Sequence, residues 1–233
     1  MTMGEFLKEI LDWSEVWATL IPLIVYIWVK PKAKWVRPIL IYLVLALLLS
    51  IIIDLTWKSR DLGIENWVKE TFWWLYRGEL LYTLIFYNIN SFLRLLLFTW
   101  FFYLVNPLYK KTYTIVAALF LLGVIINFTF SENIVTSFSS RLFTIEAAII
   151  LFYCLLYYYT VNMNDEIKSP LALPPFWVVM GLTLYTSTNF LIFLFYNYLI
   201  SAEKNYAISI WNLHNLIYIV LMIFIAVAFK KAK

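Results

Sequence analysis

The sequence has few charged residues. Only 14% of its 233 residues are Asp, Glu, Lys or Arg, while 64% are hydrophobic. An ordinary soluble domain is about one quarter charged and about half apolar. The Lys and Arg residues stand in short clusters between long apolar runs, which is typical of membrane proteins rather than of nucleic-acid-binding surfaces. The composition therefore predicts an integral membrane protein whose main partner is the lipid bilayer, with no nucleic-acid partner.

Cysteine and histidine are almost absent, and this removes several kinds of chemistry. Cys154 is the only cysteine and lies in a hydrophobic run, so neither an intramolecular disulfide nor a thiolate metal cage can form. His214 is the only histidine, whereas an intramembrane metalloprotease needs paired histidines at helical spacing. No nucleophile and base pair is apparent. We therefore expect no enzyme activity, no metal and no cofactor.

Lysine is missing from the last apolar run, between Asn205 and Phe229. A retinal protein needs a lysine there for its Schiff base, so a light-driven pump is excluded. The chain has only five glycines, and Pro22 alone interrupts an apolar run, where it predicts a kink. Many secondary transporters contain inverted repeats and broken helices, and the sequence shows neither. It therefore gives transport no support.

Seven apolar runs are long enough to cross a bilayer, which takes about 20 helical residues. No repeat or linker divides them, so we expect one all-α domain, residues 1–233, that forms a bundle of seven transmembrane helices. The approximate spans are residues 14–30, 37–57, 84–105, 112–130, 142–161, 175–199 and 206–229.

The distribution of basic residues predicts the orientation of the bundle. Ten Lys and Arg residues fall in the short connections on one side and in the C-terminal segment, and such residues mark the cytoplasmic side. The N-terminus is then outside and the C-terminus cytoplasmic, in a multi-pass protein of the bacterial cytoplasmic (inner) membrane. The first 13 residues do not resemble a cleavable signal. They predict a short surface helix that directs Phe6, Ile10 and Trp13 toward lipid.

A second amphipathic segment is predicted at about residues 64–77, between the second and third spans. Ile64, Trp67, Val68, Thr71 and Trp74 recur there at helical spacing. We expect a helix on the outer membrane interface. A surface anchor is the favoured interpretation, and a lid over an outward-opening cavity is the alternative.

Polar side chains in five or six of the spans fall at one depth, in the outer half of the predicted bundle. Ionisable groups inside a span cost about 2.5–3.5 kcal/mol on insertion scales, so they usually face the bundle interior. Helical spacing places several of these residues on shared faces of their helices. The candidate ligand-binding residues are Asp54, Asn90, Arg94, Glu146, Tyr185, Asn189, Trp211, His214 and Asn215.

This polar layer has two interpretations. In the first, Arg94 pairs with Glu146 or Asp54, and the other side chains form hydrogen bonds that hold the helices together. In the second, the same groups line a pocket that opens outward and binds a small molecule or a lipid. Asp54 and Glu15, near the outer ends of their spans, are also explained by positions among the headgroups.

A distinctive set of residues lies in the C-terminal part of the sequence. It consists of Pro175, Phe176, Trp177, Gly181, Tyr185, Trp211, His214 and Asn215, with Ser139, Arg141 and Glu146 at the start of helix 5. In this pattern the chain resembles, over about residues 84–229, an uncharacterised family of small bacterial seven-helix membrane proteins. In helix 3 that family tends to carry an acidic residue about ten positions after an Asn, and this chain has Leu97, Phe98 and Thr99 after Asn88 instead. The resemblance implies a sensory input module that acts beside a signalling kinase.

Three functions remain open from the sequence. The leading hypothesis is a receptor or sensor, whose outward pocket near Arg94, Glu146 and His214 acts on a cytoplasmic or membrane signalling partner. A partner is required because the predicted cytoplasmic loops are too short to hold an output domain. The alternatives are a small-solute transporter or channel and a structural or assembly subunit.

Overall fold

A computed structural model describes residues 10–59, 62–77, 80–81, 83–202 and 204–233. At residues 75–77, 80–81, 197, 199–202 and 204–209 it describes the backbone alone. Short 3₁₀ turns lie at Trp73–Leu75, Pro107–Tyr109 and Pro170–Ala172, and the strands Tyr76–Arg77 and Leu80–Leu81 pair in an antiparallel hairpin. The helices are α1 (Ser14–Val29), α2 (Val36–Trp57), α3 (Glu65–Thr71), α4 (Leu84–Val105), α5 (Lys110–Ile126, continued by a π-helical turn at Asn127–Ser131), α6 (Ser140–Asn162), α7 (Pro174–Ala202) and α8 (Lys204–Lys231).

Six of these helices are long and apolar enough to cross a membrane, namely α2, α4, α5 with its π-helical turn, α6, α7 and α8. The prediction of an all-helical, multi-pass membrane protein is confirmed at this level. The remaining predicted span, residues 14–30, corresponds to α1, which has 16 residues. A helix of that length is about 24 Å long, shorter than a bilayer core of about 30 Å.

The ends of the long helices follow local sequence signals. Pro174 and Pro175 occupy the first turn of α7, where a missing N–H costs no helical hydrogen bond. The Ser139 hydroxyl caps α6 by accepting a hydrogen bond from the Leu142 amide at 3.3 Å. Lys30 ends α1 in the left-handed conformation, with φ of 50°, and its amide donates to the Tyr26 carbonyl at 2.8 Å.

The long helices run alternately up and down, which gives the bundle two ends. We call the end with the α2–α4, α5–α6 and α7–α8 connections the outer end, after the sequence prediction, and the opposite end the inner end. Helix α8 packs between α7 and α1. Helix α1 is parallel to α8, because Thr19 bonds Tyr218 at 2.7 Å and Tyr26 contacts Phe229 further toward the inner end.

An aromatic core occupies the inner half of the bundle. Phe101 and Phe102 of α4 lie edge to face with ring centroids 5.1 Å apart, and Tyr113 and Tyr153 do so at 4.8 Å. All four rings are fully buried. These rings therefore hold α4, α5 and α6 together by packing in the inner half of the bundle.

The amphipathic segment after α2 is less helical than the sequence predicts. The predicted helix 64–77 is reduced to α3, which ends at Thr71 and is followed by a 3₁₀ turn. Bulky aromatic residues follow Thr71, and such side chains lose rotamer freedom in a helix. Trp67, Trp73 and Trp74 are exposed, as expected for rings at a membrane interface.

The N-terminal segment is described only from Ile10 onward. Residues 10–12 are helical and lead directly into α1, and the Trp17 indole donates to the Ile10 carbonyl at 2.9 Å. Ile10 is exposed and Trp13 is partly exposed. Phe6, which the sequence directs toward lipid, lies outside the described residues.

Candidate binding site in the outer half of the bundle

The centre of the site is a buried ion pair between α4 and α6. The Arg94 guanidinium binds both carboxylate oxygens of Glu146, through Nε to Oε1 and through Nη2 to Oε2 at 2.8 Å. The Ser91 hydroxyl donates to the same carboxylate, and Arg94 Nη1 donates to the Tyr185 hydroxyl at 2.7 Å. The exposed fractions of Arg94 and Glu146 are 6% and 1%. Charges this deep are tolerated because each has its opposite and further hydrogen bonds.

A second set of contacts surrounds His214 of α8. Its Nδ1 lies 2.7 Å from the Asn189 side-chain oxygen, and its Nε2 lies 3.6 Å from Oε1 of Glu15. The Ser50 hydroxyl donates to the other oxygen of Glu15 at 3.2 Å. This set joins α1, α2, α7 and α8, so with the Arg94–Glu146 pair the layer connects six helices.

Aromatic rings cover this polar layer on its outer side. Phe138 and Phe143 are stacked with centroids 4.6 Å apart, and the Trp211 ring lies 5.0 Å from the His214 ring. Together with Tyr87 and Phe193 they surround a cavity of about 20 Å³ that Glu15, Arg94 and His214 also line. A volume of this size accommodates about one water molecule.

Asn88 fixes the position of the covering loop between α5 and α6. Its side-chain amide donates to the carbonyls of Ile134 and Ser137, both at 2.9 Å, and its oxygen accepts from the Ser139 amide. The loop therefore holds Phe138 over the cavity. None of the described residues of the α2–α4 connection lines the cavity, and Phe138 with its neighbouring rings covers it.

The predicted site residues fall into three groups. Asn90, Arg94, Tyr185, Trp211 and His214 line the cavity itself. Glu146 and Asn189 lie behind them and bind lining residues directly.

Asp54 and Asn215 belong to neither of these groups. Asp54 is partly buried on α2, one helical turn beyond Ser50. The Asn215 amide donates to the Leu11 carbonyl at 3.1 Å and fastens the segment before α1. These two candidates are therefore next to the cavity, but they do not line it.

Sequence reasoning left several lining residues out of the candidate set. Glu15 was explained by the headgroups, yet its carboxylate lines the cavity and faces His214. The signal was available, because Glu15 is an ionisable residue in an apolar run near the depth of the polar layer. Phe138, Phe143 and Phe193 gave no such signal, since Phe is common throughout the chain.

Some buried polar atoms near the site have no hydrogen-bond partner among the described residues. They include Nδ2 of Asn189, Oδ1 of Asn215 and Oδ2 of Asp54. An unpaired polar group away from water costs about 1–3 kcal/mol, so such groups usually have a partner. The Asn189 atom belongs to the network around His214, which leaves hydrogen-bonding capacity there for a further molecule.

The described residues contain no group of three or more His, Cys, Asp or Glu side chains that could hold a metal ion.

Comparison of the chain with protein-family models, with curated proteins and with solved structures finds no match. The chemistry of the site is therefore what bears on its function.

Proposed function

We propose that this chain is the receptor module of a membrane sensor, which binds a small polar molecule in the outer half of its bundle and signals through a separate partner protein. The observation that carries the proposal is the buried layer in which six helices meet through polar side chains at one small cavity. A molecule that inserts there contacts several helices at once. It shifts their arrangement if it binds one arrangement more tightly than another.

The proposal includes seven membrane crossings. Helix α1 lies parallel to α8 for about three turns, from Glu15 beside His214 to Tyr26 beside Phe229. Because α1 runs alongside α8 over this length, its position favours a membrane crossing by α1 as well. With α1 counted, the N-terminus is outside and the C-terminus is cytoplasmic, and the cavity lies under its aromatic cover in the outer half of a protein of the bacterial cytoplasmic membrane. Membership of the small bacterial seven-helix family belongs to the same proposal.

The charges and rings around the cavity favour a small organic cation as the ligand. Arg94 and Glu146 neutralise each other, whereas the Glu15 carboxylate has only hydroxyl and imidazole partners among the described residues. Aromatic faces attract cations, and Trp is the most effective ring. Trp211 and the neighbouring rings therefore complement an amine or a quaternary ammonium group that Glu15 attracts.

The small size of the cavity links binding to movement. A volume of about 20 Å³ is too small for an organic molecule, so a ligand must displace Phe138 or Trp211 from its place. Phe138 is carried by the α5–α6 loop and Trp211 by α8. Displacement of either ring therefore transmits the presence of a ligand to the helices.

Thermal unfolding of the purified protein with small amines tests this proposal. A ligand that binds only the folded state stabilises it by about 2.7 kcal/mol at 100 times its dissociation constant. We expect primary or quaternary amines to raise the unfolding temperature, and neutral alcohols of the same shape to leave it unchanged. Glu15→Gln should abolish the shift.

The matched control is Glu166→Gln, which removes an exposed carboxylate at the inner end. That variant should retain the full amine response. An equal amine response in Glu15→Gln and wild type would contradict a site at Glu15, and so would the absence of any response to the amines.

A structural or assembly subunit is the second candidate, and one observation favours it. Arg94 and Glu146 satisfy each other, and they leave little room between the helices. On this hypothesis the pair only holds the bundle together. The double variant Arg94→Leu/Glu146→Leu should then fold and assemble with its partner as wild type does, whereas a receptor should fold but lose its response to the ligand.

A further inference from the structure

A groove of about 450 Å³ runs along the surface of the bundle between α5 and α6. It is separate from the central cavity, because the two share no lining residue. Apolar side chains form most of its length, including Val116, Leu119, Phe120, Ile145 and Ile149.

The polar groups of the groove are concentrated at its outer end. Asn127 and Ser131 lie in the π-helical turn that ends α5, and Arg141 lies in the first turn of α6. The Arg141 side chain is exposed and has no ion-pair partner among the described residues. The nearby Glu132 carboxylate accepts a hydrogen bond from Asn127 at 2.9 Å.

The length of the apolar part matches one leaflet of a bilayer. Val116 and Asn127 are eleven residues apart on α5, which is about 17 Å along the helix axis. Half of a hydrocarbon core of about 30 Å is nearly the same distance. The groove thus starts at a cation near headgroup depth and ends near the membrane midplane.

We propose that this groove binds one phospholipid, with an acyl chain between α5 and α6 and the lipid phosphate on Arg141. The guanidinium group offers paired N–H donors that suit phosphate oxygens, and the apolar walls suit a hydrocarbon chain. Helix α5 also needs such an occupant, because among its own residues only Tyr113, Ala117 and Phe120 are buried. The lipid fills the space that α5 leaves beside α6.

Gly123 provides a direct test, because it lies in the groove wall with open space in front of it. A Cβ atom added at Gly123 has nothing within 4 Å. A phenylalanine there fills the groove without a clash at the backbone. The matched control is Leu122→Phe, since Leu122 is the next residue on α5, is exposed and does not line the groove.

Native mass spectrometry of the protein, washed in mild detergent until bulk lipid is removed, measures the bound phospholipid. We expect one retained phospholipid in wild type and in Leu122→Phe, and an at least tenfold lower retained fraction in Gly123→Phe. Gly123→Ala adds only one carbon and should retain the lipid. Its unfolding temperature and that of Gly123→Phe show whether each variant is folded.

Arg141→Gln tests the phosphate contact. After delipidation, we expect about tenfold weaker rebinding of phosphatidylglycerol or phosphatidylethanolamine by this variant, and no change in its weaker rebinding of diacylglycerol, which has no phosphate. Lys111→Gln removes an exposed cation at the inner end of α5 and should behave as wild type.

Equal phospholipid retention in wild type and folded Gly123→Phe would overturn the proposal, as would a wild-type protein that retains no phospholipid. Equal loss of phospholipid and diacylglycerol in Arg141→Gln would overturn the role of Arg141.

Discussion

At the scale of single residues, the stability of the fold depends strongly on the Arg94–Glu146 pair. Its two members come from different helices, and each is almost fully buried. Removal of one partner leaves an uncompensated charge inside the bundle, whereas removal of both leaves no charge and only the hydroxyls of Ser91 and Tyr185 without that partner. Single substitutions should therefore lower the free energy of unfolding much more than the double substitution does.

We predict that Arg94→Leu and Glu146→Leu each lower the free energy of unfolding by about 3–5 kcal/mol, because a buried charge loses its counterion. The double variant should recover most of that loss. Urea or thermal unfolding in one fixed detergent measures all three. Additive losses in the double variant would show that the two residues act independently.

The surface pair Glu65–Lys69 of α3 is the control for these substitutions. Its Nζ–Oε1 distance is 2.7 Å, but its side chains are 34% and 49% exposed. Pairs that reach water contribute about 0–1 kcal/mol. Lys69→Ala should therefore change the stability much less than either buried substitution.

The sequence predicted that Arg94 and Glu146 lie at one depth, because each is an isolated charged residue in an apolar run. It did not decide between Glu146 and Asp54 as the partner of Arg94, since that choice depends on which helices are neighbours. It also missed Phe138, whose position depends on loop contacts made by Asn88. Periodicity reports the face of a helix and its depth, but not the path of a loop.

At the scale of elements, the two glycines in α5 and α7 have different surroundings. A Cβ atom added at Gly181 lies 2.8 Å from the Phe224 Cβ of α8, whereas one added at Gly123 meets nothing. Helices α7 and α8 therefore depend on Gly181 for their close approach. Small residues at such crossings are typical of membrane bundles.

We predict that Gly181→Ala lowers the free energy of unfolding by about 1–3 kcal/mol, since an overpacked contact must open. Gly123→Ala should be neutral or stabilising by up to about 1 kcal/mol, because alanine is the better helix former. Parallel unfolding curves of the two variants check the difference. The prediction is wrong if both variants behave alike.

The boundaries of the elements were predictable to different degrees. The long apolar runs at α2 and α4 end within a residue or so of the predicted spans, because hydrophobic length and helix length are linked in a membrane. The segment at 64–77 was predicted as one helix, but aromatic residues end α3 at Thr71. A segment too short to span a bilayer is not held to helical structure by lipid on all sides, so local propensity decides where it ends.

At the scale of the whole molecule, the parallel contact of α1 and α8 bears on the topology. If both helices cross the bilayer, the two ends of the chain lie on opposite sides. We predict that a periplasm-active reporter functions only at the N-terminus and a cytoplasm-active reporter only at the C-terminus. Activity of the same reporter at both ends would show an even number of crossings.

The contact of α1 with α8 also sets an order of events during synthesis. Helix α1 leaves the ribosome many residues before α8, and until then Glu15 lacks His214 and Thr19 lacks Tyr218. If α1 crosses the bilayer as proposed, an acidic side chain without its partner is poorly tolerated there. The first helix then reaches its final place only after the last one has been translated, and a nascent chain stopped before α8 leaves an unfinished bundle.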